Sequence, residues 1–261
     1  MPNVIAVIAA RMGSTRFPGK PLVPVHGIPM LGHVYLRTRM CRLLDEVYVA
    51  TCDKEIYDYV LSLGGKAVMT ADTHERCSDR TAEAVVNIAA QGGKPVDIVL
   101  MVQGDEPLVT PVMLEQVLAP MLADPTLPIA NLMGPIKTAE QFEDRNEVKV
   151  VTDLAGNAMY LSREPIPSLK MGDSPATHCK QMGIIAFRRD YLMRFNALEP
   201  TPLERRESVD MLRVLEHGDT LRMVLTNEVS MGVDTPQDME EAARLLSKDP
   251  LLPMYSQRGT V

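Results

Sequence analysis

The sequence predicts an α/β fold: a mostly parallel, doubly wound sheet carrying a β-hairpin-containing insertion. Three observations point there. A continuous apolar run at 4–10 and the strongly apolar V-D-I-V-L-M-V at 96–102 have the length and composition of buried strands. Strand-like and helix-like segments alternate through the first 125 residues or so, the mark of parallel crossover units. After residue 128 the rhythm changes, and two strand-like segments flank Asp153-Leu154-Ala155-Gly156-Asn157, which reads as a hairpin with a short loop.

Element by element, 4–10 is the first strand and runs into a Gly-, Ser- and Pro-containing loop. Helical spacing of Leu31, Val34, Tyr35, Thr38 and Leu43 predicts a helix over 30–44. A strand over 46–51 is followed by a helix over 54–63, which Gly64-Gly65 ends. A short strand at 67–69 precedes a helix over 79–90. The run VDIVLMV at 96–102 is the strongest strand of all, and Pro111 suits the first turn of a helix reaching 122. Strands at 148–152, 158–162 and 182–187 follow, then a helix over 204–217 stopped by Gly218 and a strand at 221–226. The final helix covers 235–246, with Thr235 as N-cap, Pro236 at the first position and Asp238 completing a capping box. From Lys248 onward, Pro and polar content predict a loose tail. The expected organisation is one domain over 1–248, an insertion at about 145–210, and a tail over 249–261.

At 261 residues with 46% apolar composition, the chain is long enough for a sizeable core without staples. With no Trp, 4% aromatics and 18 Met, that core must be aliphatic and Met-filled, which argues against stacking nucleobases on aromatic platforms. Four Cys (Cys41, Cys52, Cys77, Cys179) show no C-x-x-C pairing, so reduced thiols in a cytoplasm are expected. The apolar opening is far shorter than the roughly 18 residues a membrane span needs, and no basic segment precedes it as a signal peptide would have.

Net charge is −7, but its distribution says more. No acid occurs before Asp45, so the first 44 residues carry +6 from Arg11, Arg16, Lys20, Arg37, Arg39 and Arg42, and the remainder carries −13. That split excludes a broad nucleic-acid or membrane-surface binder and leaves room for a local anion site near the N-terminus. Arg37, Arg39 and Arg42 are expected on a solvated helix face.

In a doubly wound sheet, ligands bind outside the carboxyl ends of the strands. The first such end carries A-R-M-G-S-T-R-F-P-G-K-P at 10–21. Arg11, Arg16 and Lys20 give fixed positive charge, Gly13 and Gly19 a pliable backbone, and Ser14 and Thr15 hydroxyls: the set a triphosphate wants. The competing reading is a solvated basic loop, which the clustering of three cations at a strand end disfavours. It is not a Walker A loop, since five residues separate the glycines and Pro21 follows Lys20.

Val102-Gln103-Gly104-Asp105-Glu106-Pro107 closes the strongest strand, and Asp105 is a hard oxygen donor suited to Mg²⁺. An ordinary turn role for this Asp-Pro segment stands equally open. Asp234, in Gly232-Val233-Asp234-Thr235-Pro236, is a second metal candidate against a strong alternative, the electrostatic preference of acids for helix N-termini. No H-E-x-x-H, G-x-S-x-G, G-x-G-x-x-G or D-x-D occurs, which disfavours zinc, serine-hydrolase, dinucleotide and D-x-D glycosyltransferase chemistry.

Taken in order, R-M-G-S-T-R-F-P-G-K-P, V-Q-G-D-E-P, E-V-K-V-V-T-D, M-Y-L-S-R and G-V-D-T-P-Q-D resemble the bacterial 3-deoxy-manno-octulosonate (Kdo) cytidylyltransferases, or CMP-Kdo synthetases, over roughly residues 3–246. The resemblance implies a Rossmann-like nucleotidyltransferase fold, an insertion serving sugar binding and dimerisation, and a cytoplasmic homodimer. It implies transfer of CMP from CTP to the anomeric hydroxyl of an acidic 3-deoxy-2-keto sugar, with Mg²⁺ as cofactor and diphosphate released, for lipopolysaccharide or surface-polysaccharide synthesis. Residue by residue, it places Arg11, Ser14, Thr15, Arg16, Lys20, Arg80 and Gln103 at the nucleotide and Gln103, Arg163, Gln181 and Asp210 at the sugar. Asp105 and Asp234 would hold the metal, and Lys20, Arg11 and Asp105 would carry catalysis.

The sequence departs from the family pattern at Cys77 (usually Gly), Gln181 and Ile185 (usually His and Tyr), and Asp210 and Met211 (usually Glu and Gln). Lost donors there would change which sugar is held, so an 8-amino analogue of Kdo or another nonulosonic acid is an alternative substrate. Neutral drift is the competing explanation. A catalytically inactive nucleotide-binding homologue is the alternative in another class, and a sugar-1-phosphate nucleotidyltransferase a third. The latter's loop usually opens on consecutive glycines, which Ala10-Arg11-Met12-Gly13 does not.

Overall fold

A computed structural model of the chain describes residues 2–14, 16–92, 94–170 and 178–256. The chain divides into two compact units, 1–115 with 229–261, and 116–228.

The first unit opens with β1 (Val4–Ala9), a one-turn 3₁₀ helix (Lys20–Leu22), and a hairpin of β2 (Pro24–Val25) and β3 (Ile28–Pro29). Next come α1 (Met30–Thr38), β4 (Glu46–Thr51), α2 (Lys54–Ser62), β5 (Lys66–Met69), α3 (Cys77–Ala90) and β6 (Ile98–Gln103). Its sheet runs β6-β1-β4-β5, and every pairing is parallel. All six residues of β1 and five of six in β6 are buried, as uninterrupted apolar runs require of strands covered on both faces. Registers Ala9↔Gln103 and Ala9↔Ala50 bring the ends of three strands level, so the loops after β1, β4 and β6 leave the same edge.

α4 (Pro111–Ala123) leads into the second unit. That unit holds β7 (Ile129–Pro135), α5 (Ala139–Glu143), β8 (Lys149–Thr152), β9 (Ala158–Ser162), β10 (Cys179–Arg188), α6 (Arg189–Ala197), α7 (Pro202–Glu207), α8 (Leu212–Glu216) and β11 (Arg222–Leu225). Here β7 pairs parallel with β11 and antiparallel with β10, and β10-β8-β9 continue antiparallel. The expected hairpin is β8–β9, within the segment read as an insertion. The chain returns to the first unit for α9 (Pro236–Leu246) and α10 (Leu252–Ser256). Thr235 caps α9 and Asp238 closes the capping box, as the sequence predicts.

Several expectations are corrected. The helix expected over 30–44 ends at Thr38, with Arg39 as its C-cap. The helix expected over 204–217 is two helices, broken where Ser208 turns left-handed (φ 53°) and Val209 N–H bonds back to Glu204 O. β7 and α6 were not anticipated. In β7 the Asn, Gly and Pro of I-A-N-L-M-G-P interrupt the apolar run. Buried Asn131 resolves that conflict: its amide donates to Met182 O (2.9 Å) and Ile184 O (3.0 Å), where β10 shifts register.

Arg37 is not on a solvated face: it is wholly buried and bonded to Val109 O, Leu108 O and Asp249. Nor is the segment after Lys248 loose as far as Ser256, because α10 buries Tyr255 against His33. The last five residues of the expected tail lie outside the described residues. Among the described residues, no helix is long and apolar enough to cross a membrane.

Candidate active site

Lys20 follows Gly19, whose φ of 75° lets the loop turn back under itself. The turn is fastened at its base by Gly19 N–H to Met12 O (3.1 Å) and by Met12 N–H to the Asp53 carboxylate (2.7 Å) at the end of β4. These bonds bury the lysine, which is 8% exposed. Its ammonium donates to Asp105 Oδ2 (2.8 Å), Val233 O (2.5 Å) and Asp234 Oδ1 (3.3 Å), and Arg16 reaches the other oxygen of Asp234 (2.9 Å). Two loops thus bring two carboxylates to one cation, and Val233 N–H to Asp105 O (2.9 Å) ties those loops together.

Thr235 and Asp238 cap α9 without Asp234, whose carboxylate turns to Lys20 and Arg16. Asp105 likewise bonds across to Lys20. Gly104 has a stricter reason to be glycine than ligand approach. A Cβ there would lie 2.7 Å from Ala9 O and 3.0 Å from Ala10 Cβ, where the backbone crosses the end of β1.

The donor set suits a divalent ion. Two aspartates already converge on one positive charge, and Mg²⁺ bound with phosphates typically takes one or two carboxylates and leaves the remaining positions to water and substrate. Among the described residues no cluster of three or more His, Cys, Asp or Glu side chains forms a metal cage of its own.

Beside this centre, Arg11 and Arg80 line one recess with Ala9, Ala10, His74 and Cys77. Both guanidinium groups reach His74 O (3.4 Å each), and buried Arg80 also donates to Thr70 Oγ1 (2.6 Å). His74 in turn bonds Glu83, which also takes Ala71 N–H (2.9 Å), so the 70–76 loop is latched onto α3. Desolvation raises the Glu83 pKa, but the Ala71 N–H bond, the hydrogen bond and charge of His74, and the Asn87 bond together outweigh it and hold the carboxyl below its ordinary value. Ser14 Oγ accepts from Phe17 N–H (3.3 Å), so it shapes the loop. Thr15 lies outside the described residues. Gln103 is the half-buried last residue of β6.

In the second unit, Arg163 is held on three sides. Its Nε donates to Glu207 O (2.6 Å), Nη1 to Arg145 O (2.9 Å) and Nη2 to Ser208 O (3.3 Å). Glu207 gathers Arg163 N–H (2.8 Å), Ser162 Oγ–H (2.9 Å) and Tyr160 O–H (3.2 Å). Wholly buried Lys149 places its three donors on Asp144 O, Glu147 O and Arg163 O, and burial lowers its pKa. Gln181 donates to Asn131 Oδ1 (2.7 Å), and Asp210 O accepts from Arg213 N–H at the start of α8. Asp53, Lys149 and Glu207 were missed in the sequence. Lys149 lies within E-V-K-V-V-T-D, but nothing in spacing shows that an ammonium is buried there.

A family model described as cytidylyltransferase matches residues 5–225. The chain is 42% identical to the 3-deoxy-manno-octulosonate cytidylyltransferase of Geobacter metallireducens, covering 94% of this chain and 98% of that one. It is 43% identical to the protein of the same name from Geobacter sulfurreducens, covering 94% and 99%. This chain belongs to the 3-deoxy-manno-octulosonate cytidylyltransferases. It also superposes on a solved CMP:2-keto-3-deoxy-manno-octonic acid synthetase complexed with CTP, with TM-score 0.85, 37% identity, and coverage of 94% of this chain and 99% of that one. A putative glucose-1-phosphate thymidylyltransferase from Bacillus anthracis, 13% identical with TM-score 0.65, shares the fold alone.

A member of the cytidylyltransferase family is a nucleotidyltransferase enzyme, and the Rossmann-like α/β class expected from the resemblance is found. Of the departures from the family pattern, Ile185 and Met211 are buried apolar side chains, 2% and 0% exposed. Cys77 opens α3 within the Arg11–Arg80 recess. In this cytidylyltransferase Arg16, Lys20, Asp105 and Asp234 meet at one centre in the first unit, Arg11 and Arg80 line one recess there, and Arg163, Gln181 and Asp210 belong to the second unit.

Proposed function

We propose that the protein transfers CMP from CTP to the anomeric hydroxyl of an acidic 3-deoxy-2-keto sugar, Kdo or a close analogue, releasing diphosphate. The observation that carries this is the buried Lys20 ammonium between Asp105 and Asp234, beside exposed Arg16, at the carboxyl edge of a parallel sheet. Such a centre would neutralise phosphate charge and hold a divalent ion, and its lysine and carboxylates are engaged with one another and with Arg16, so none stands poised as a nucleophile. Direct in-line attack by the sugar hydroxyl on the α-phosphorus fits that inventory, without a covalent enzyme intermediate.

Asp105 and Asp234 would hold Mg²⁺. When bound, the ion supplies charge neutralisation at phosphate oxygens and lowers the pKa of a hydroxyl beside it. Lys20 and Arg16 carry positive charge to the triphosphate, with Arg11 and Arg80 at the nucleotide end. Lys20 spends its donors on two carboxylates and a carbonyl, so it is pre-positioned and needs little reorganisation when a phosphate competes for it. Arg163 offers a remaining N–H to a sugar carboxylate from a guanidinium already fixed on backbone carbonyls.

The same reading makes the enzyme a cytoplasmic homodimer that supplies an activated sugar for lipopolysaccharide or surface polysaccharide. Exposed Leu154 and Met159 on the β8–β9 hairpin are apolar surface a second copy would cover. The test is diphosphate release with CTP and Mg²⁺ across Kdo, its 8-amino analogue and several nonulosonic acids. Turnover of Kdo is expected. Turnover only of the 8-amino analogue or of a nonulosonic acid would move the assignment to that sugar, and no release with any acid would favour the inactive nucleotide-binding homologue.

A further inference from the structure

The C-terminal segment packs on α1. α1 presents His33 and Arg37 one turn apart on one face, and both are wholly buried. From α9 onward the chain returns to that face: Asp249 Oδ2 accepts from Arg37 Nη2 (2.8 Å), and the Tyr255 hydroxyl meets His33 Nδ1 (2.8 Å). Each α1 residue then reaches a loop of the active site. Arg37 donates to Val109 O (2.6 Å) and Leu108 O (3.2 Å), four and three residues beyond Asp105. His33 Nε2 lies 2.8 Å from Val25 O, in the hairpin that follows the Lys20 turn. A carbonyl only accepts, so Nε2 carries the proton, Nδ1 accepts, and Tyr255 is the donor.

From this we propose that residues 249–256 form a clasp, with Arg37 and His33 as positioning residues, that holds the Asp105 and Lys20 loops in register for the reaction. The physical reason is burial. An arginine with no exposed surface must keep its partners, because removing one leaves an uncompensated charge that the neighbouring carbonyls have to follow. With Asp249 gone, Arg37 shifts, and Leu108 and Val109 move with it. Tyr255 acts the same way through a neutral chain, His33 to Val25. Neither residue touches substrate, so the effect falls on alignment of Asp105 and Lys20 and not on the second unit's residues. The proposal rests on the assignment of Lys20 and Asp105 to the reacting centre.

The test compares wild type, Asp249→Asn, Asp249→Glu, Tyr255→Phe and the Asp249→Asn/Tyr255→Phe double variant. Each is assayed for diphosphate release with CTP and Kdo, with folded fraction read by circular dichroism and amide exchange mapped by mass spectrometry. The double variant should remain folded, lose about 10-fold or more in kcat, keep sugar KM within about 2-fold, and exchange faster at 20–26 and 104–110. Asp249→Glu should recover most of the rate. If the folded double variant turns over at the wild-type rate, or if 104–110 exchanges no faster, the clasp is wrong. A loss of rate that merely tracks the unfolded fraction would also overturn it. Failure of wild type itself to release diphosphate would refute the proposed function instead.

Discussion

In the proposed reaction, single residues at the carboxyl edge of β1 and β6 carry the chemistry, and each is held there by identifiable bonds. Lys20 is buried but fully paired, a high-stakes arrangement, since an ammonium without partners there would cost several kcal/mol. Lys20→Ala or Asp105→Ala should each cut turnover by about 100-fold or more, the scale of losing one preorganised electrostatic group, read as kcat for diphosphate release. Gly104→Ala attacks the same centre without touching a charge. Its new Cβ would meet Ala9 O at 2.7 Å, so the β6 end must move away from β1 and take Asp105 with it. We expect a loss in kcat of at least about 10-fold in a protein that still folds; an unchanged rate would show that the Asp105 turn tolerates displacement.

Elements explain how much of this could be read in advance. The parallel strands were legible because burial on both faces writes a continuous apolar run, as in β1 and β6. The α9 cap was legible because Thr235, Pro236 and Asp238 each have a local physical role. β7 was not, because Asn131 looks like an interruption until β10 supplies the carbonyls it bonds. The partners of Arg37 lie 71 to 212 residues away, so no local pattern separates it from exposed Arg39.

At the centre, the clustering of Arg11, Arg16 and Lys20 was visible, but the pairing of Lys20 with two acids 85 and 214 residues distant was not. The α7–α8 break has the same origin. Glu204 and Arg213 form a buried bidentate pair (Nε 2.8 Å, Nη2 2.6 Å) that folds two helices together across Ser208. Glu204→Gln leaves Arg213 buried without its counter-charge and should cost about 3–5 kcal/mol in urea unfolding.

α1 makes a second, pH-dependent prediction. Burial pulls His33 from 6.5 down to about 4, aided by the charges of Arg37 and His26 and opposed by the Val25 hydrogen bond, so the folded state holds it neutral. The unfolded chain binds that proton more readily, and stability should therefore fall as pH drops from about 6.5 toward 4. This one group accounts for up to about 3 kcal/mol. Unfolding curves at pH 7.5 and 5 in wild type and His33→Gln check it: the variant should lose less stability between the two.

The whole molecule joins two units of different character. The first is a wholly parallel sheet whose loops gather cations and two aspartates; the second is mostly antiparallel and rich in buried polar clamps around Arg163. The charge split of the sequence is seen again in the first unit. Arg16 and Lys20 from the acid-free N-terminal stretch meet Asp105 and Asp234 from the acidic remainder. Membership of the 3-deoxy-manno-octulosonate cytidylyltransferases names the reaction class, nucleotidyl transfer, which we propose this centre performs. The most direct test is ³¹P NMR of the full-length protein with CTP, Mg²⁺ and Kdo, run in parallel with UTP and ATP. One new phosphodiester signal and diphosphate in equal amounts, from CTP well ahead of the other nucleotides, are predicted. Equal products from all three nucleotides, or release of inorganic phosphate with no phosphodiester, would contradict the account.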